Sequence, residues 1–148
     1  MLNGKVLALY MTMPAIMRSG HRMLCEDFEC DSEGIIGDMN YETSENPMLL
    51  LTCEVSYDIA EEAGIMVDKG VLLESIHVDV DLYDLKEGDV IELGETLVEV
   101  LKHCEAYGYL MALAPELPEL LKGKRGLFVR PLDYGRIAVG DTVQAHRK

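Results

Sequence analysis

Cysteine and histidine are the residues of this chain with the widest chemistry, and there are four of each, the cysteines at 25, 30, 53 and 104. Cys104 has cationic company: Lys102 and His103 precede it. A cation near a thiol favours the thiolate, the nucleophilic form, although side chains adjacent along a strand point to opposite faces. The competing reading is a small buried hydrophobe. Cys25-x4-Cys30 is wider than a zinc knuckle, and His21, His77, Cys53 and Cys104 show no paired ligand spacing, so no metal site is predicted. Lys122, Lys124 and Arg125 form the one basic cluster, either a solvated turn or a contact for an anion. Tyr107, Tyr109 and Tyr134 can line a pocket for a ring-shaped ligand or simply pack at strand ends. No Gly-rich phosphate loop and no serine-nucleophile motif is present, so a stand-alone hydrolase finds no nucleophile and base.

Charge narrows the partners. Asp and Glu number 27 against 13 Lys and Arg, for a net charge of -14. Such a field repels phosphate backbones and anionic headgroups, so neither nucleic acid nor membrane is expected as a partner. The acidity reflects solubility, a salty cytoplasm or an acidic docking face. At 148 residues the length suits one compact domain, 1–148. The apolar run Leu7 to Ile16 is broken by Thr12 and Pro14 and falls short of the roughly 20 residues a membrane span needs. The expectation is a cytoplasmic protein without an export signal, its thiols reduced, with a Cys25–Cys30 bridge possible in principle.

The elements that must position these residues are mostly short strands. Gly4 to Met11 reads as a buried strand and Met48 to Leu51 as a second apolar run. Thr12 to Pro47 is loop-rich, with one strand near Met23 to Glu29. Val55, Ile59 and Ala63 recur at helical spacing, with Thr52 as the candidate cap, Glu54 in the first turn and Gly64 just past the end. An irregular strand pattern covers Leu72 to Val80. Val90 to Leu93 and Thr96 to Leu101 flank Gly94-Glu95, a hairpin signal. Pro115 and Pro118 divide Leu110 to Leu121 into two short helices. Strands return at Leu127 to Arg130, Arg136 to Val139 and Thr142 to Ala145. Many short strands without a strand–helix repeat argue for a mainly β fold, a closed or partly closed barrel. Gly88-Asp89 and Gly140-Asp141 read as tight turns.

Four segments fall in one order: Gly34-Ile-Ile-Gly-Asp38, Leu82 to Gly94 with Gly88-Asp89 and Leu93-Gly94, Leu97 to Cys104 followed by Tyr107, and Gly126 to Asp141. That order resembles the MOSC domain, the module named after the C-terminal part of molybdenum cofactor sulfurase. The resemblance is strongest from Lys69 to Val143. It implies a MOSC-type β-barrel with a few short helices and a role in molybdenum or tungsten (molybdopterin) cofactor metabolism. In that role Cys104 bears sulfur as a persulfide, His103 tunes it, and Gly37, Asp38, Tyr107, Lys124 and Arg125 contact a pterin cofactor or its anionic group. The partner implied is a cofactor biosynthesis protein or a molybdoenzyme. Departures favour an alternative, a non-catalytic binding or protein-interaction barrel. Met39 and Asn40 stand where the family follows Gly-Asp with a basic residue or histidine. Glu74-Ser75 stands where the family has Arg-Asn, which exchanges a bidentate donor for a carboxylate. Alignment through Leu110 puts Tyr107 at the cysteine position and Cys104 three residues earlier.

Overall fold

A computed structural model describes residues 2–13, 21–38, 41, 48–105 and 108–146. In chain order its elements are β1 (Leu2–Met13), β2 (His21–Cys25), β3 (Asp27–Asp31), β4 (Gly34–Ile35), β5 (Leu49–Cys53), α1 (Glu54–Glu62), β6 (Ile76–Val78), β7 (Val90–Leu93), β8 (Thr96–His103), α2 (Tyr109–Leu113), α3 (Leu117–Leu120), β9 (Leu127–Pro131), β10 (Gly135–Ala138) and β11 (Thr142–His146).

The first strand decides how the sheet closes. Val6 pairs with Val78 but Ala8 with His77, so the register slips at Leu7. Val6 and Leu9 therefore both turn inward, and Leu7 between them is 42% exposed. A bulge bends its strand. The bend lets β1 pair with β11 near its start, with β6 in its middle and with β2 at its end. Around the ring the order is β1, β11, β7, β8, β9, β5, β6 and back to β1, a closed barrel of seven strands. β2 continues outward from β1, and β10, β3 and β4 form a second, small sheet. Inward positions supply one core, including Leu51, Ile76, Val78, Ile91, Leu93, Val98, Val100, Leu127, Val129 and Val143. Phe28, Cys30, Ile35 and Ile137 of the small sheet join it.

β5 and β6 are the parallel pair in the ring, and parallel neighbours need a crossover. α1 provides it. The helix ends in a paired hydrogen-bond cap: Gly64 N bonds Glu61 O and Ile65 N bonds Ala60 O, with Gly64 at φ +77. Tyr57, Ala60, Leu72, Leu110, Leu117 and Leu121 make a second apolar cluster joining α1 to α2 and α3.

The two Gly-Asp turns are built alike. Gly88 and Gly140 both sit at φ +92, which a β-carbon disfavours. Asp89 Oδ2 accepts from Lys86 N at 2.7 Å and Asp141 Oδ2 from Ala138 N at 2.8 Å, each closing its own turn. The Gly94-Glu95 hairpin and the two short helices stand where the sequence puts them. Three expectations are corrected. The stretch Met23 to Glu29 holds parts of two strands, β2 and β3, broken at Glu26 and paired in different sheets. Leu72 to Val80 is a strand only at Ile76–Val78, and Leu73 lies at φ +68. Thr52 does not cap α1: Cys53 occupies the cap position without a side-chain bond. Among the described residues no helix is long and apolar enough to cross a membrane.

Candidate functional site

Pairing of β8 with β9 assembles one rim of the barrel. His103 stands opposite Leu127, and Cys104 N continues the ladder by donating to Gly126 O at 2.9 Å. Cys104, half-buried, thus lies one residue across from Arg125. Burial is the largest influence on its thiol and raises the pKa above 9.0; Glu105 acts with it, while Arg125 and then Lys102 act against it. The structure thus departs from a thiol made acidic by its neighbours. His103 is exposed and faces the Tyr83 ring at 6.3 Å between centroids. Lys124 Nζ pairs with Asp81 at 2.9 Å and stands 5.9 Å from the Tyr83 ring centroid. Arg125 is 5% exposed, and its NH1 nitrogen has no hydrogen-bond partner.

Cys104, His103, Lys124 and Arg125 are thereby brought together. Gly37 and Asp38 are not. Gly37, at φ +93, turns the chain so that Asp38 Oδ2 accepts from Thr12 N at 2.7 Å. Asp38 therefore repeats the Gly-Asp backbone turn but spends its carboxylate on β1. Thr12 pairs with Arg22 of β2, whereas Cys104 follows β8 against β9. Tyr109 and Tyr134 are exposed, on α2 and between β9 and β10. Tyr107, Met39 and Asn40 lie outside the described residues. All four cysteines are free thiols, and among the described residues no group of three or more His, Cys, Asp or Glu could hold a metal ion.

A second polar cluster escaped sequence reasoning. Thr52 on β5 and His77 on β6 alternate with core residues and so face out of the barrel, beneath α1. Thr52 Oγ1 donates to Glu74 Oε2 at 2.8 Å and meets His77 Nδ1 at 2.7 Å. Tyr57 OH donates to the same Glu74 oxygen at 2.6 Å and accepts from Gly70 N at 2.9 Å. His77 Nε2 meets Glu54 Oε2 at 2.8 Å, and Lys69 pairs with Glu54 Oε1. One hydroxyl proton cannot serve two acceptors. Glu74 Oε1, also buried, has no hydrogen-bond partner, so the network leaves one carboxylate oxygen unpaired. Burial tends to raise Glu54, but the bonds and charges of Lys69 and His77 outweigh it and lower its pKa below 4.5. Burial and the Glu74 charge push the Tyr57 hydroxyl far up. Glu74 is wholly buried, and its Oε2 is engaged by Thr52 of β5 and Tyr57 of α1. The signal available beforehand was one polar residue, Thr52 or His77, flanked by core residues in each of two short apolar strands.

No family model matches this chain, and neither does any curated protein. Solved structures do match. The chain is similar to the YuaD protein from Bacillus subtilis at 18% identity, covering 100% of both chains with a TM-score of 0.74. It is similar to YiiM from Geobacillus stearothermophilus at 18% identity over 97% of this chain and 75% of that one, TM-score 0.70. YiiM from Escherichia coli matches at 15% identity over 97% and 70%, TM-score 0.66. At these identities what is shared is the fold, the closed barrel together with its outer helices.

Proposed function

We propose that this chain is a MOSC-type protein of molybdenum or tungsten cofactor metabolism in which Cys104 carries a sulfur atom. The barrel it shares with YuaD and YiiM, themselves MOSC-type proteins, supports the family reading. One contrast between cysteines carries the sulfur reading. Cys30 and Cys53 are buried, their thiols pushed up by burial to about 11 and about 12. Cys25 and Cys104 reach solvent, and after burial the charges acting on Cys25 are the Asp27 and Asp38 carboxylates alone, whereas on Cys104 the Arg125 cation comes first, then the Glu105 carboxylate, then Lys102. Of the two accessible sulfurs, Cys104 is the one with cations beside it, which supports the reading.

The transfer needs no outside oxidant. The Cys104 thiolate attacks the terminal sulfur of a donor persulfide, forming one S–S bond as the donor's S–S bond breaks. The donor leaves as a thiolate and Cys104 becomes the persulfide. Because a persulfide is more acidic than its thiol, the loaded form is anionic at a pH where the resting thiol keeps its proton.

A second reading, a binding module without sulfur chemistry, is favoured by the net rise of the Cys104 thiol and by the burial of Glu74 where the family resemblance calls for arginine. Isolation of the protein from its host without reductant separates the two. Cyanide should release sulfur as thiocyanate from the wild type and not from Cys104→Ser, and bound pterin with molybdenum or tungsten should accompany the protein. Pterin or metal without labile sulfur selects the binding module; absence of all three overturns the proposal.

A further inference from the structure

We propose that Arg125 is an oxyanion-binding residue, holding an anionic oxygen group of the molecule that approaches Cys104. A guanidinium stays charged at any pH the fold survives, and burying it without a counter-charge is costly. Arg125 is 95% buried by its 5% exposure, and NH1 faces no acceptor. Among the described residues the ion pairs engage Lys69, His77, Lys124, Arg130 and Arg136, and none includes Arg125. Among the described residues no carboxylate pairs with this buried cation. A charge kept in this way is satisfied by something that comes and goes.

The rim divides the work between its basic residues. Lys124 is committed to Asp81 and lies against Tyr83, and Lys102 lies over Phe128, 5.9 Å from the ring centroid. Arg125 is uncommitted. It is also the cation with the larger effect on the Cys104 thiol. Its planar fork suits two oxygens of a phosphate, a sulfur oxyanion or a carboxylate. In a chain of net charge -14, which repels anions at long range, a buried fork is what makes such a group welcome at this rim. The identity of the arriving molecule rests on the sulfur-carrier reading; the anion site itself does not.

The test uses neutral iodoacetamide, with alkylation at Cys104 followed by peptide mass, in inorganic phosphate, sulfate, acetate or chloride at matched ionic strength. At least one oxyanion should slow Cys104 saturably by several-fold over chloride, and the most potent arm names the source. Arg125→Gln should abolish the effect, Arg125→Lys should weaken it, and Lys124→Gln should leave it intact. Melting temperature gives a second readout, since the effective oxyanion should raise it in the wild type and not in Arg125→Gln. Equal behaviour of chloride and all three oxyanions, or an oxyanion effect that survives in Arg125→Gln, overturns the proposal. A persisting anion site with no sulfur loading at Cys104 would instead remove the carrier reading alone.

Discussion

Replacing Thr52 by valine removes one oxygen from the centre of the buried network while nearly preserving volume. That oxygen is wholly buried, donates to Glu74 Oε2 at 2.8 Å and meets His77 Nδ1 at 2.7 Å. The bond to the carboxylate is charge-assisted and contributes about 1.5–3 kcal/mol. Glu74 Oε2 keeps its bond from Tyr57, so it is weakened and not abandoned. His77 Nδ1 is left against a methyl group, and an orphaned buried polar atom costs about 1–3 kcal/mol. The expected loss is about 2.5–6 kcal/mol, or a fall in melting temperature of about 5–24 °C for a chain of this size. Urea unfolding at constant m, followed by far-UV circular dichroism, measures it. Thr52→Ser, which keeps the hydroxyl, should lose far less. Adding Tyr57→Phe to Thr52→Val strips Glu74 Oε2 of both donors, so the double mutant should lose more than the sum of the single losses. A Thr52→Val loss below about 1 kcal/mol, the size of an ordinary neutral bond, would refute the network as the tie between α1 and the barrel.

Other outcomes follow from single contacts. Asp89→Ala and Asp141→Ala should each cost about 1 kcal/mol through a lost turn bond, read by denaturant midpoint, without affecting ligand binding. Gly135→Ala places a β-carbon 2.0 Å from Thr96 Oγ1 and 2.9 Å from Glu95 O, so overpacking should cost about 1–3 kcal/mol in the same assay. Cys30 and Cys53 have folded pKa values of about 11 and about 12, above the 9.0 of a free thiol. Their retained protons stabilise the fold below pH 9.0, and that contribution is lost as pH rises toward those values. Stability measured from pH 8 upward should fall, and the fall should shrink in Cys53→Ala measured against its own neutral-pH value.

Local signals carried most of the barrel. Gly94-Glu95 announced the β7–β8 hairpin, and helical spacing announced α1, although its buried residues are Ser56, Tyr57 and Ala60 and Ala63 is exposed; Pro115 falls between the two later helices and Pro118 in the first turn of α3. Legibility failed where a partner distant in sequence decides. β3 is held by β10, with Asp27 bonding Arg136 across 109 residues, so nothing near Glu26 signals a change of sheet. Thr52 looked like a helix cap, and partners 22 and 25 residues downstream claimed its hydroxyl. At the rim, Cys104 and Arg125 were each legible as chemical residues. Their meeting depends on the β8–β9 register, which slips between Val100 and Lys102 and so is not carried by alternation alone. Arg125 read as a solvated turn or an anion contact; its burial, invisible in the sequence, removes the solvated turn.

The most direct test of the central claim is the fate of sulfur offered to the reduced protein. After incubation of the native chain with glutathione persulfide, proteolysis and mass analysis should find one added sulfur on the peptide containing Cys104, ahead of any on Cys25, and none there in Cys104→Ser. Sulfur arriving equally at Cys25, or at Cys104 only after denaturation, would contradict the account.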